Sequence, residues 1–273
     1  MTGPRHSLTD RPDSEELVEV VHALCDAARA ATLSYFRSDG LNIASKAEAF
    51  DPVTEADRAA EEAMRDILHR RRPDDAILGE EFAAKPGTSG LTWVLDPIDG
   101  TRGFMSGTPT WGVLVAVATE TGPILGAIDQ PYIGERFFGG LGHSFVTGPL
   151  GQRPLAVKPP RPLAEATMLT TFPEVGTAEE GRAFRNVAGK VRLVRYGLDC
   201  YGYALVAAGQ VDLVIEAGLQ PYDIAAPLAV VEAAGGVVTD WAGGPAHGGG
   251  RVIAAANEAI HAEALTLLRE IAG

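Results

Sequence analysis

Leu17, Val20, Val21, Leu24, Ala28 and Ala31 recur at the spacing of one helical face, and Asp13 with Glu16 has capping-box spacing just ahead of them. The pattern predicts a first helix there, followed by a turn at Ser38-Asp39-Gly40. A second helix is predicted from about Thr54 to Arg71, where Pro73 stops it. Beyond the turn signal Pro86-Gly87 the period changes, and residues 91–96, 111–118, 123–129 and 135–138 read as strands. Residues 139–162 are rich in Gly and Pro and mark a boundary between halves. The second half alternates. Strands are predicted at 167–171, 191–195, 211–216, 236–239 and 252–255, and helices at 178–188, 200–208, 224–234 and 257–271. The class is α/β, with an α+β half at 14–150 and an α/β half at 151–273. Residues 1–13 are polar and read as a disordered arm.

Composition narrows the partners more than the fold. The chain has 273 residues, 46% of them hydrophobic and 22% charged, enough to bury a substantial core. It contains no run of 18 apolar residues, so no membrane span is expected. The first residues lack a signal-peptide pattern, which predicts a cytoplasmic protein. Cys25 and Cys200 read as buried free thiols, and the six histidines form no cluster. The net charge of −13 repels nucleic acid and anionic membranes, so neither is an expected partner. It also repels an anionic substrate, and that tension points to cations at the site.

Candidate chemistry lies in four segments. The predicted strand at 91–96 runs into Asp96-Pro97-Ile98-Asp99-Gly100-Thr101. Carboxylates at the C-terminal end of a strand stand where α/β folds bind ligands, and two close carboxylates repel unless a cation joins them. Hard oxygen donors suit Mg²⁺. A helix starting at Asp99-Gly100-Thr101 would turn free N–H groups toward a phosphate. The plainer alternative is a helix-capping turn. In Asp51-Pro52-Val53-Thr54-Glu55-Ala56-Asp57, Thr54 and Asp57 have capping-box spacing, which alone accounts for both. Glu80 and Glu81 follow a short apolar run and read as a solvated loop. Asp223 reads as the N-cap of the helix at 224–234, which Gly235-Gly236 ends.

Taken in order, Asp57, Glu80-Glu81, Asp96 to Thr101, Asp223 and Gly235-Gly236 resemble the inositol monophosphatase family, part of the lithium-sensitive, metal-dependent sugar phosphatases. The resemblance covers the chain from about Leu17 onward. Thr101-Arg102-Gly103-Phe104, Ser106 to Gly112, Asp129-Gln130-Pro131, Glu135 to Phe138 and Asp199 to Tyr203 resemble its histidinol-phosphate phosphatase branch. The branch usually reads Gly-Gly-Asp-Cys where this chain has Gly197-Leu198-Asp199-Cys200, so Leu198 is a departure at the substrate end.

The resemblance implies a layered αβαβα sandwich and a Mg²⁺-dependent phosphatase of small phosphate monoesters, most specifically L-histidinol phosphate in histidine biosynthesis. Inositol-1-phosphate, a 3′-phosphonucleotide and fructose-1,6-bisphosphate are the alternatives. It implies that Glu80, Asp96, Asp99, Asp223 and the Ile98 carbonyl hold two Mg²⁺ ions, with a third, weaker ion near Glu80. Asp57, Thr101 and Glu80 would serve the attacking water, and the Gly100 and Thr101 amides the phosphate. Gly197, Leu198, Asp199 and Glu216 would form the leaving-group side; the plainer readings are a cap of the helix that begins near Cys200 for Asp199 and a strand end facing solvent for Glu216. Lys46 matches a lysine near the site, and family members are commonly homodimers.

Overall fold

The structure, a computed structural model, describes residues 11–38, 43–45 and 52–272. Lys46, Asp51 and most of the turn expected at Ser38-Asp39-Gly40 lie outside them, as does the side chain of Thr54. Helix α1 (Ser14–Tyr35) buries its predicted face, but the expected capping box does not form. The Asp13 carboxylate instead takes Arg11 and Arg72, each at 3.1 Å. Arg72, just past α2 (Glu55–Arg71), also receives Glu16 and Asp75. A guanidinium is a stronger, charge-assisted donor than the backbone N–H that the cap would have used. Residues 11–13, read from sequence as part of a free arm, are thereby tied to α2.

Strands β1 (Ile43–Ser45) and β2 (Pro52–Thr54) form a separate antiparallel pair. The first large sheet has seven strands in chain order: β3 (Ala76–Gly79), β4 (Thr92–Asp99), β5 (Gly112–Thr119), β6 (Gly122–Gln130), β7 (Glu135–Gly140), β8 (His143–Gly148) and β9 (Gly151–Pro154). β3 pairs with β4 in parallel, and the rest is an antiparallel meander. The strands β8 and β9 fall in the Gly- and Pro-rich stretch. β9 is exposed along its length, so it has no alternation to read, and it joins the first sheet although it lies beyond position 150.

The short helix α3 (Thr101–Ser106) follows β4. The second sheet has the order β11 (Leu193–Tyr196), β10 (Thr167–Thr170), β12 (Leu213–Leu219), β14 (Gly250–Ala255), β13 (Val237–Asp240). Its helices are α4 (Ala178–Ala188), α5 (Cys200–Ala207), α6 (Pro221–Ala233) and α7 (Glu258–Ala272). Every element predicted in this half is present.

Strand alternation builds the layers. On β4, Trp93 and Leu95 face α1 and α2, while Val94 faces the opposite core. That inner core joins Leu114 and Ile128 of the first sheet to Leu169, Val214 and Val252 of the second, with α5 and α6 between them. On the second sheet's outer face, Met168, Leu213 and Ile253 pack against Phe184 of α4 and Ile260 and Leu268 of α7. The stack is αβαβα. Helix α6, enclosed by both sheets, is buried on all sides from Ile224 to Val231.

Two glycines set its depth. Gly126 and Gly139 face each other across β6 and β7. A methyl on Gly126 would lie 2.7 Å from the Ala226 carbonyl oxygen, and one on Gly139 would lie 2.6 Å from Val230 Cα. The backbone of α6 therefore rests directly on the first sheet, and its first turn is brought to the end of β4.

Candidate active site

A regular strand turns residues three apart to opposite faces, which would separate Asp96 from Asp99. Here Asp96 pairs with Leu114 and Asp99 with Gly112, so β4 carries one residue more than β5 between the two pairs. The extra residue is a bulge at Pro97-Ile98, and it restores both carboxylates to one face. Asp223 meets them from α6. It sits at N3 and not at the N-cap read from sequence, because Pro221, preset for helical φ, begins the helix and Gln220 caps it. Its carboxylate accepts the Gln220 backbone N–H at 2.6 Å. Asp96, Asp99 and Asp223 each offer an oxygen within 4.8 Å of the others.

These groups line a cavity of about 280 Å³. Glu80, Ile98, Gly100 and Thr101 share its first-sheet wall, with Thr171, Phe172, Asp199 and Glu216 across it. Gly100 is left-handed at φ 84°, and the Thr101 hydroxyl donates to the Ile98 carbonyl at 3.2 Å. Glu80 is half-buried and not in open solvent, as its loop reading implied.

Asp199 and Glu216 have the plainer readings of a helix cap and a solvent-facing strand end, and neither holds. Asp199 makes no capping hydrogen bond. The N–H groups such a cap would take bond to backbone carbonyls, Tyr201 to Leu198 and Gly202 to Asp199, each at 3.0 Å, and the N–H of Cys200 donates to the Asp99 carboxylate at 2.5 Å, which ties α5 to β4. Asp199 is held at φ 48°, a strained value for a residue with a Cβ. Its side chain lies against Gly100, where a methyl would come 2.8 Å from the Asp199 carboxyl carbon. Glu216 is buried on β12 and accepts the Thr171 N–H at 2.6 Å and the Thr170 hydroxyl at 3.1 Å.

Burial in like-charged company sets the electrostatics. Burial and then the charges of Glu80, Asp99 and Asp223 push Asp96 well above the usual carboxylate range. Burial and the charges of Asp199 and Asp223 do the same to Asp99, against the Cys200 hydrogen bond. Burial raises Asp223 to about 6, opposed by the Gln220 N–H. It raises Asp199 to about 6, opposed by the Arg102 charge, and Glu216 to about 7, opposed by Thr171 and Thr170. A cation fits this donor set. Asp96 Oδ1 is buried with no hydrogen-bond partner among the described residues, and the facing groups are all carboxylate oxygens. An all-oxygen set suits Mg²⁺.

Three residues expected at the site do not line the cavity. Asp57 is buried and acts on Asp96 through its charge. Leu198 packs on the core between the sheets, and the Gly197 carbonyl accepts the Thr110 hydroxyl at 3.4 Å. Among the wall residues that sequence reasoning gave no role are Arg102 and Phe172. The Arg102 guanidinium carbon stands 4.7 Å from the centroid of the 43%-exposed Phe172 ring. The signal for Phe172 was its place just past the C-terminal end of the strand at 167–171, where open α/β sheets bind ligands.

The model of the inositol monophosphatase family matches residues 13–272. The bifunctional phosphatase IMPL2, chloroplastic, of Arabidopsis thaliana is 42% identical over 231 residues, 84% of this chain, and the match spans 65% of that protein's length. The histidinol-phosphatase of Streptomyces coelicolor is 36% identical over 267 residues, covering 95% of this chain and 99% of that protein. Among solved structures, an inositol monophosphatase from Zymomonas mobilis superposes with a TM-score of 0.84 at 37% identity, over 95% of this chain and all of that one. Among the described residues no helix is long and apolar enough to cross a membrane. With one family matched from end to end and an acidic cluster able to hold metal at the expected strand end, the chain belongs to the inositol monophosphatase family and is a metal-dependent phosphoric monoester hydrolase.

Proposed function

We propose that this phosphatase acts on a monoester whose alcohol carries positive charge, L-histidinol phosphate, converting it with water to L-histidinol and inorganic phosphate. The observation that carries the reading is Asp199, a strained, half-buried carboxylate that makes no capping hydrogen bond and is set against Gly100, with Glu216 on the same cavity wall. Two acids on the leaving-group side match an ammonium and a protonatable imidazole. A neutral polyol gives them nothing to offset. The name of the Streptomyces coelicolor relative supports the same choice.

Glu80, Asp96, Asp99, Asp223 and the Ile98 carbonyl would hold two Mg²⁺ ions, with a third, weaker one near Glu80. Bound metal supplies charge neutralisation on the phosphate oxygens and eases deprotonation of water. The Gly100 and Thr101 amides hold the phosphate. Thr101 gives its hydrogen to the Ile98 carbonyl, which leaves its lone pairs to accept from the attacking water. Asp57 and Glu80 join it in orienting and activating that water. Gly197 and Leu198 shape the wall that carries Asp199.

The test is phosphate release, with Mg²⁺, from histidinol phosphate, inositol-1-phosphate, a 3′-phosphonucleotide and fructose-1,6-bisphosphate, for the native protein and Asp199→Asn. The native protein is expected to show its highest kcat/KM on histidinol phosphate. Asp199→Asn should lower that value by roughly ten- to a hundredfold, the worth of a charge-assisted hydrogen bond, and spare the neutral substrate. Equal loss on both, or none on either, removes the cationic substrate and promotes inositol-1-phosphate. Arg102 at the wall favours a second reading, a substrate with a further anionic group, and a bisphosphate preferred in the same panel would establish it.

A further inference from the structure

We propose that Glu61, with Arg65, is a positioning residue that presets Glu80 for Mg²⁺; the inference rests on the reading of Glu80 as a metal ligand. Glu61 lies on α2 and is completely buried. Both of its carboxylate oxygens are used. Oε1 accepts from Arg65 Nε one turn later at 2.7 Å, and Oε2 accepts the backbone N–H of Glu81 at 2.7 Å. Arg65 then donates from Nη2 to the Phe82 carbonyl at 3.2 Å, and its guanidinium stands 5.7 Å from the Phe82 ring centroid. On the other side of Glu80, Gly79 leaves the space that the Glu61 carboxylate fills, because a methyl there would overlap it.

Residues 79, 81 and 82 are thus held against α2 by one ion pair, and Glu80 is the residue between them. Glu80 lines the cavity and adds its charge to Asp96. Repulsion from the cavity's own acids would swing a loosely held Glu80 outward, so affinity for a cation depends on something that holds the loop in place. An ion pair buried on the inner face of a helix is a poor source of stability, since apolar residues of the same volume serve as well or better. Fixing a ligand's orientation through an outer partner is a role that an apolar pair could not fill, because it offers the Glu81 N–H and the Phe82 carbonyl nothing.

The test is calorimetric titration of the full chain with Mg²⁺, without substrate, for Glu61→Gln, Glu80→Gln and Leu68→Ala. Leu68 lies on the same helix in the core, and its side chain has no polar atom to offer these groups. Glu61→Gln is expected to weaken Mg²⁺ binding by about 10- to 100-fold, the usual cost of removing such an outer partner. Its kcat at saturating Mg²⁺ should stay near the native value, so that excess metal restores turnover. Leu68→Ala should lower the melting temperature and leave Mg²⁺ affinity as it was. If Glu80→Gln weakens binding and Glu61→Gln does not, the positioning role is wrong and the reading of Glu80 stands. If Glu80→Gln leaves affinity unchanged, that reading fails and takes the inference with it. Equal weakening in Glu61→Gln and Leu68→Ala would reduce Glu61 to a structural residue. Should Glu61→Gln not fold, Arg65→Gln reads the same loop, with the same expected loss and the same overturning result.

Discussion

Acids gather in two places in this molecule, and they behave in opposite ways. At the seam of α1 and α2, Arg72 receives Asp13, Glu16 and Asp75, and the Trp93 indole N–H adds a 2.8 Å hydrogen bond to Asp75. Burial alone would raise Asp13 and Asp75, but hydrogen bonds and charge from the arginines win and hold both below the usual carboxylate range. In the cleft, Asp96, Asp99, Asp199, Glu216 and Asp223 are all pushed up, and among the described residues none forms an ion pair with a Lys or Arg. The residue types are the same and only the partner differs. Among the described residues, acids at the seam are paired with arginine and the acids pushed up at the cavity form no ion pair, which leaves that place for a cation from solution.

The sharpest way to break the contrast is to neutralise one acid in each region. Asp96→Asn is expected to lower kcat on the order of a thousandfold, and excess chelator should stop the native protein in the same way. In the metal-free protein the same change relieves repulsion, so the melting temperature should rise, by about 2–4 °C for each kcal/mol relieved. Asp75→Asn should do the reverse, lowering the melting temperature with turnover nearly intact. Full turnover in excess chelator, or a lower melting temperature for metal-free Asp96→Asn, would remove the distinction.

Thr101→Ala probes the cleft without changing its charge. Its hydroxyl is placed to meet the attacking water, an interaction felt in the transition state, so kcat should fall about a hundredfold while KM moves little. A raised KM at constant kcat would make Thr101 a binding residue.

Much of this contrast is legible in the chain before any coordinates. The helical period of Leu17 to Ala31 and the alternation of the second half name their elements because each has one apolar face or a continuous apolar run. The pairing of Asp96 with Asp99 is legible only as spacing. Strand parity alone sends them apart, and the bulge that reunites them is set by the register against β5, which no local pattern reveals. Asp199 is the clearest limit. Its sequence neighbourhood also reads as a helix cap, and nothing local shows that its side chain packs against Gly100 or that the next N–H, of Cys200, donates to Asp99, 101 residues away in the chain. Strands β8 and β9 stayed hidden among the turn-forming residues at 139–162.

The gentlest test of the comparison is the pH dependence of stability in chelated protein. A carboxyl whose folded pKa is raised binds protons in the folded chain that the unfolded chain has released, so it makes stability fall as pH rises through the interval between the two values. For Asp199 and Asp223 that interval runs from 3.8 to about 6, and for Glu216 from 4.5 to about 7, with Asp96 and Asp99 acting in the same direction. For Asp13 and Asp75 at the Arg72 seam the sign reverses. Their contribution is present above 3.8 and is lost as pH falls through their depressed values. The metal-free protein should therefore melt at a lower temperature at pH 8 than at pH 5.5, and lose stability again below about pH 4. Mg²⁺ and protons compete for the same oxygens, so added Mg²⁺ should raise the melting temperature more at pH 8 than at pH 5.5. Melting curves at three pH values, with chelator and with Mg²⁺, measure both effects. A metal-free melting temperature that climbs from pH 5.5 to pH 8, or a Mg²⁺ gain that shrinks over that range, would mean that the cleft acids are offset by a cation within the chain, and the two regions would no longer differ in kind.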